Sequence, residues 1–189
     1  MKNLFIVFFC LVSVLAIKAN GQESLWKIQA VDYQGTYYGA AVANGGIGIL
    51  PWKEPFSVRH VMLNHVFDAA APQDVSRVLR GINPFNLQMQ IDGQGVSGDN
   101  ISGWRQCIDM KAATHDTHFT YGGKADISYS ICALRNMTYA GLVRVEVAAL
   151  EDMYLSVENP IEVPDEYKNP GSKQVSVNVD GNELKIVRT

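Results

Sequence analysis

The stretch Leu87-Gln88-Met89-Gln90-Ile91-Asp92-Gly93 decides the fold class. Leu, Met and Ile recur at every second position with glutamines between them, the period of a strand with one buried and one wet face. Asp-Gly then supplies two residues that tolerate positive φ, as a tight hairpin turn requires. The same device returns at Val175, Val177 and Val179, which are followed by Asp180-Gly181 and answered by Leu184 and Ile186. Two such hairpins, one mid-chain and one near the end, predict antiparallel β-structure.

Working outward from them, β-branched and aromatic runs bounded by Gly, Asn and Asp predict strands at Tyr37–Ala43, Ile47–Leu50, Ser57–Phe67, Trp104–Met110, His118–Tyr121, Ile127–Leu134, Leu142–Ala149 and Tyr154–Val157. Turns fall at Asn44-Gly45-Gly46, Gly122-Gly123 and Gly141. Ser57–Phe67 is long for one strand, so a bulge or bend is expected inside it. The single helical signal is Gln73–Gly81, where Asp74 can cap, Val75, Val78 and Leu79 share a face, and Gly81 ends the run. Pro160, Pro164 and Pro170 within Asn159–Pro170 mark a loop, and no internal repeat is visible. The fold class is all-β, an antiparallel β-sandwich.

Residues 1–21 have the layout of a secretory leader. Lys2 is the positive start, Leu4 to Ile17 are apolar except for Ser13, and Ala19-Asn20-Gly21 offers small residues to a signal peptidase. Fourteen residues at ~1.5 Å each span about 21 Å, short of the ~30 Å hydrocarbon core, so a membrane anchor is the poorer reading. Cys10 lies in the apolar run, with Phe8 and Phe9 where a lipobox would carry small residues. A mature domain of residues 22–189 is thus expected in the periplasm or outside a bacterial cell, with no membrane association after cleavage. Losing Lys2 and Lys18 leaves 14 basic and 19 acidic groups, a net charge of −5. No basic run forms the stripe that a phosphate backbone demands, which argues against nucleic acid as a partner.

The local motifs support little chemistry. Asn44-Gly45-Gly46-Ile47-Gly48 lacks the third glycine of a phosphate loop, and Pro51 forbids the helix that would follow, so a hairpin turn is the better reading. His115 and His118 are three apart in His115-Asp116-Thr117-His118, which on a strand places them on opposite faces and speaks against one shared metal ion. They read as solvent-facing polar residues. His60 and His65, five apart, fail the same test. No Gly-x-Ser-x-Gly elbow is present, and neither Cys107 nor Cys132 has a neighbouring base to activate it. An oxidising compartment allows Cys107 and Cys132 to pair if their strands are neighbours, although isolated thiols in strand-like runs are more often small buried hydrophobes. Glycosidase chemistry needs two carboxylates about 5 to 9.5 Å apart. Asp92, Asp99, Asp109, Asp116, Glu146 and Glu151 are available, but sequence cannot pair them. Trp52 and Trp104 are the candidate carbohydrate contacts, and with Tyr33, Tyr37 and Tyr38 they would form the exposed platform of a free-standing carbohydrate-binding module, an alternative reading beside that of an orphan gene fragment; the competing role for a sandwich tryptophan is the core.

Read in order, Ala43-Asn44-Gly45-Gly46-Ile47-Gly48-Ile49-Leu50-Pro51, Val66-Phe67-Asp68, Asn83-Pro84-Phe85, Gln90-Ile91-Asp92-Gly93, Ile108-Asp109-Met110-Lys111 and Leu142-Val143-Arg144-Val145-Glu146-Val147 form a series. In order and spacing it resembles the N-terminal domain of glycoside hydrolase family 65, over about residues 25–160. The departures are mild: Ile108 for Leu, Lys111 for Arg, and Gly46 for an aromatic or aliphatic residue. The resemblance implies a galactose mutarotase-like super-sandwich preceding an (α/α)6 barrel that carries the catalytic carboxylate. On that footing no residue of this chain is assigned as catalytic, and no cofactor or metal is implied. The implied partners are the downstream barrel and an α-glucoside sugar, of the kojibiose, maltose or trehalose kind. Homodimers are also implied, with no interface legible in the sequence. Export favours hydrolysis over phosphorolysis, whose sugar phosphate is of use inside a cell. A chain ending straight after the strand Leu184–Val187 would leave an unpaired edge, which predicts that this sequence is the front of a longer protein.

Overall fold

The computed structural model describes residues 25–68, 77–164, 175–180 and 183–188. The leader expected at residues 1–21 lies outside them. Every regular element among the described residues is a β-strand, and every pairing is antiparallel.

One sheet has five strands: β1 (Lys27–Ala30), β8 (Ile101–Asp109), β9 (Thr114–Tyr121), β10 (Ala125–Ala133) and β11 (Gly141–Ala149), in that spatial order. Against it pack a four-stranded sheet, β2 (Val42–Ala43), β3 (Ile47–Pro51), β4 (Val58–Asp68) and β5 (Arg77–Arg80), and a three-stranded one, β12 (Leu155–Glu158), β6 (Gln88–Ile91) and β7 (Gln94–Gly95). β13 (Val175–Asp180) and β14 (Glu183–Arg188) pair as the second hairpin, whose turn residues fall outside the described set. The layers meet in one core in which Ile49, Val58 and Val61 face Phe119, Ile127, Tyr129 and Ile131, all 2% exposed or less. Alternation builds this directly, since β9 and β10 switch between buried and half-buried at every residue.

The hairpin that decided the fold class is present as read. Gln88 and Gln90 are exposed while Met89 and Ile91 are buried, and Asp92 and Gly93 take φ of 51° and 77°. Asp92 also ties the turn down, accepting from Tyr154 N at 2.9 Å and Lys124 Nζ at 2.7 Å. Asn44-Gly45-Gly46 is likewise the β2–β3 turn, with Gly45 at φ 91°. Asn44 Oδ1 accepts from Gly46 N and Ile47 N, and its Nδ2 donates to Leu134 O at 2.6 Å, stapling the turn to the loop after β10. A side chain at Gly46 would strike Thr138 O at 2.3 Å, so that close approach requires glycine. The bend expected in Ser57–Phe67 appears as a register shift between Met62 and Phe67, with His65 at φ 65°.

Two expectations are corrected. Residues 77–80 of the proposed helix form β5, pairing Phe67 with Val78 and Asp68 with Arg77; residues 73–76 lie outside the described set. The long β4 presents an open ladder edge, and its hydrogen bonds outweigh a weak local helical period. The strand Tyr37–Ala43 shortens to Val42–Ala43. Tyr37 leaves the ladder because its ring and hydroxyl are engaged elsewhere, as follows.

Candidate functional site

Four of the residues singled out as sugar-contacting aromatics come together. The Tyr37 ring meets Trp52 edge-on at 5.1 Å and Trp104 at 6.2 Å, and Tyr33 meets Trp104 at 5.4 Å. Edge-to-face packing of this kind matches the positive rim of one ring to the negative face of the next. Tyr38 stands apart, 87% exposed. Trp104 projects from β8 into the core and is 6% exposed. Trp52 follows β3 and is half-buried, with the Arg59 guanidinium 4.3 Å from its ring centroid as a cation–π lid. Of the pair, Trp52 is the less buried residue.

A chain of polar groups lies beneath the rings. Tyr37 Oη donates to Gln106 Oε1, and Gln106 Nε2 donates to Trp52 O at 2.8 Å and Thr117 Oγ1 at 3.1 Å. His115 Nε2 lies 3.5 Å from the Tyr37 hydroxyl. Tyr129, fully buried, accepts from Phe56 N at 3.0 Å and so holds Phe56 at φ 59°. Burial lifts the Tyr37 hydroxyl to about 12 and pushes Tyr129 up as well, so both stay protonated donors at neutral pH. Burial lowers the pKa of His115, which favours the neutral ring. Glu54 bonds the Tyr33 hydroxyl with one oxygen and accepts from Gly98 N at 2.8 Å with the other, clipping the loop after β1 to the loop after β7. Between these loops lies a cleft of about 250 Å³ lined by Tyr33, Gln34, Gly98, Ser102, Gly103 and Trp104.

The remaining candidates are dispersed. His115 is 2% exposed and points inward while His118 is half-buried on the other face of β9, where its Nε2 lies 3.0 Å from Asp126. The opposite-face expectation is met, but His115 is not solvent-facing: it shares the inward phase of Thr117, Phe119 and Tyr121. His60 and His65 lie on β4, and burial lowers the pKa of His60, with Arg59 and Arg80 adding to the effect. Cys107 and Cys132 are free. They lie on β8 and β10 with β9 between, two spacings of ~4.8 Å, beyond the ~7 Å Cα separation a disulfide can bridge. Burial raises the Cys107 thiol, with the Asp116 carboxylate adding to it.

Five of the six candidate carboxylates, all but Asp99, have structural roles in turns, hydrogen bonds or ion pairs. Asp109 caps the β8–β9 turn through Lys111 N and Ala112 N, Asp116 accepts from Ser130 Oγ and Thr114 Oγ1, Glu151 shares Lys124 with Asp92, and Glu146 pairs with Arg144. None of the six lines the cleft beside Trp104. The roles of Gln106, Glu54 and Tyr129 were not singled out from sequence. Gln106 could have been, since it sits two residues from Trp104 on the same inward face.

Over 164 residues, 86% of its length, the chain is 30% identical to the kojibiose hydrolase of Mucilaginibacter mallensis, and over 145 residues, 76% of its length, it is 31% identical to the kojibiose hydrolase of Flavobacterium johnsoniae. Over most of its length the chain is similar to these two kojibiose hydrolases. The resemblance to glycoside hydrolase family 65 is thereby borne out. The chain spans between a fifth and a quarter of the length of the curated relatives it matches, 24% and 21%. No family profile matches it. The residues that carried the resemblance prove to be framework: Asn83 is buried and bonds Val58 O and Phe85 N, while Asn44, Asp92 and Asp109 hold turns.

Proposed function

We propose that this chain is the exported, non-catalytic β-sandwich of a glycoside hydrolase acting on α-linked glucosides. The observation that carries the reading is the match to two kojibiose hydrolases over most of this chain and only 24% and 21% of theirs. The engagement of Asp92, Asp109, Asp116, Glu146 and Glu151 in turns, hydrogen bonds and ion pairs supports it. The sandwich packs on an (α/α)6 barrel and helps close one rim of its sugar pocket, excluding water from all but the reacting position. Trp52 is the aromatic that reaches the sugar. Tyr37 packs against its ring, Trp104 packs against Tyr37, and Gln106 bonds both Tyr37 and the Trp52 carbonyl.

Assay of kojibiose cleavage by the protein as secreted, beside the 189-residue chain alone, tests this. Hydrolysis by the secreted protein is expected, with none by the chain alone. Turnover by the chain alone, or phosphorolysis well above hydrolysis in the secreted protein, contradicts the reading.

A further inference from the structure

The β2–β3 turn contains Asn44-Gly45, a dipeptide in which an asparagine side chain is readily lost because glycine places no side chain in the way of its own backbone nitrogen. The chemistry needs no reagent but water. Gly45 N attacks Asn44 Cγ and gives up its proton, the C–N bond to Nδ2 breaks, and Nδ2 leaves as ammonia. Water then opens the five-membered imide at either carbonyl. One opening leaves an aspartate at position 44; the other routes the main chain through the former side-chain carbon as isoaspartate.

The fold holds this amide at both polar atoms. Oδ1 accepts from Gly46 N and Ile47 N at 2.9 Å each, and Nδ2 donates to Leu134 O at 2.6 Å and Met137 O at 3.1 Å. Together these four bonds fix the plane of the amide, so its carbon cannot turn a face to Gly45 N while they stand. The backbone around it is fixed as well. Asn44 N donates to Ile47 O and Asn64 N to Gly46 O, and Gly46 lies so close to Thr138 that a Cβ would meet the carbonyl oxygen at 2.3 Å. The product does not fit the place that the amide leaves. A carboxylate keeps the two N–H donors but turns an acceptor toward the Leu134 and Met137 carbonyls, where the amide had presented a donor. Isoaspartate adds a carbon to the main chain of a turn whose neighbours are all engaged. We infer that Asn44-Gly45 is a modification site gated by the fold: intact while the β2–β3 turn is docked on the loop after β10, converted when that contact opens, and a barrier to docking again. Opening of this corner of the sandwich thereby becomes irreversible.

The test follows the tryptic peptide Ile28 to Lys53, whose one asparagine is Asn44, taken from the secreted protein after incubation at mildly alkaline pH. In guanidinium chloride the peptide is expected to convert to a pair of deamidated products, aspartyl and isoaspartyl. Under native conditions conversion should be slower by at least about tenfold, since it waits on local opening. Two variants of the secreted protein test the second half of the inference. Asn44→Asp should unfold at a lower guanidinium midpoint than wild type at neutral pH. Part of that loss should be recovered toward a pH of about 4, where the new carboxyl takes a proton and can donate to Leu134 O. Asn44→Ala loses the same hydrogen bonds without adding charge, and its loss relative to wild type should not recover. An Asn44→Asp protein that folds only at the lower pH is the extreme form of the expected result. Equal conversion rates in native and denatured protein overturn the proposal. So does Asn44→Asp as stable as wild type at neutral pH, or with a loss as flat in pH as that of Asn44→Ala.

Discussion

Strands β10 and β11 are neighbours of similar composition, yet they differ in what their inward residues achieve. Ile127, Tyr129 and Ile131 are nearly inaccessible, while Val147, Val145 and Val143 beside them are half-buried. The difference is position in the sheet. β10 has a strand on each side and a second sheet over it, whereas β11 has no outer neighbour among the described residues. Stability should therefore be concentrated at the centre of the sandwich, and surface for association at its margin.

The largest break of that contrast is Phe119→Ala. Phe119 is 0% exposed and packs edge-on to Phe56 at 5.8 Å, so truncation should cost about 3–5 kcal/mol in urea unfolding. Tyr129→Phe keeps the ring and removes the acceptor of the Phe56 amide; leaving that buried N–H unpaired should cost about 1–3 kcal/mol. At the margin, Val145→Ala should cost only about 1 kcal/mol, since its methyl groups are half-exposed already. If Val145→Ala proves as costly as Phe119→Ala, the edge is covered in solution by a partner that contributes to folding.

A smaller effect comes from pH. Burial depresses the pKa of His115 in the folded chain, with a nominal unfolded value of ~6.5. Above that value both states are neutral and the group contributes nothing to the pH dependence. As pH falls through it, the unfolded chain takes up the proton first and stability drops until the folded-state pKa is passed. His60, lowered for the same reason, adds with the same sign. The urea midpoint should fall between pH 7 and pH 5, with a shallower slope in His115→Gln. The carboxylates of Asp92, Asp109 and Asp126 are held below their usual range by hydrogen bonds and ion pairs, so their contribution is lost at lower pH, below about 4.

The frame was legible because strand period and turn chemistry are local. Met89 and Ile91 could face only one way, and Asp92-Gly93 could turn only one way. Gln73–Gly81 misled because its competitor, the open edge of β4, lies outside the few residues over which a helical period is read. The candidate site was legible as a set of residues and illegible as an arrangement. Trp52, Trp104, Tyr33 and Tyr37 do cluster, but whether they present faces to solvent or edges to one another depends on which sheet lies over them. His115 was misread for a related reason. The alternation that separates it from His118 also aligns it with Phe119, and that second inference settles which of the two is buried.

The central claim is that this sandwich serves a larger exported glycosidase. The most direct measurement is the intact mass, in the culture medium and periplasm, of the protein that carries this sequence, with kojibiose hydrolysis followed in the same fractions. A mass about three and a half times the 20.8 kDa of this chain, coinciding with hydrolysis, is the predicted result. A protein of 20.8 kDa or less, separating from all kojibiose-cleaving activity, would contradict it.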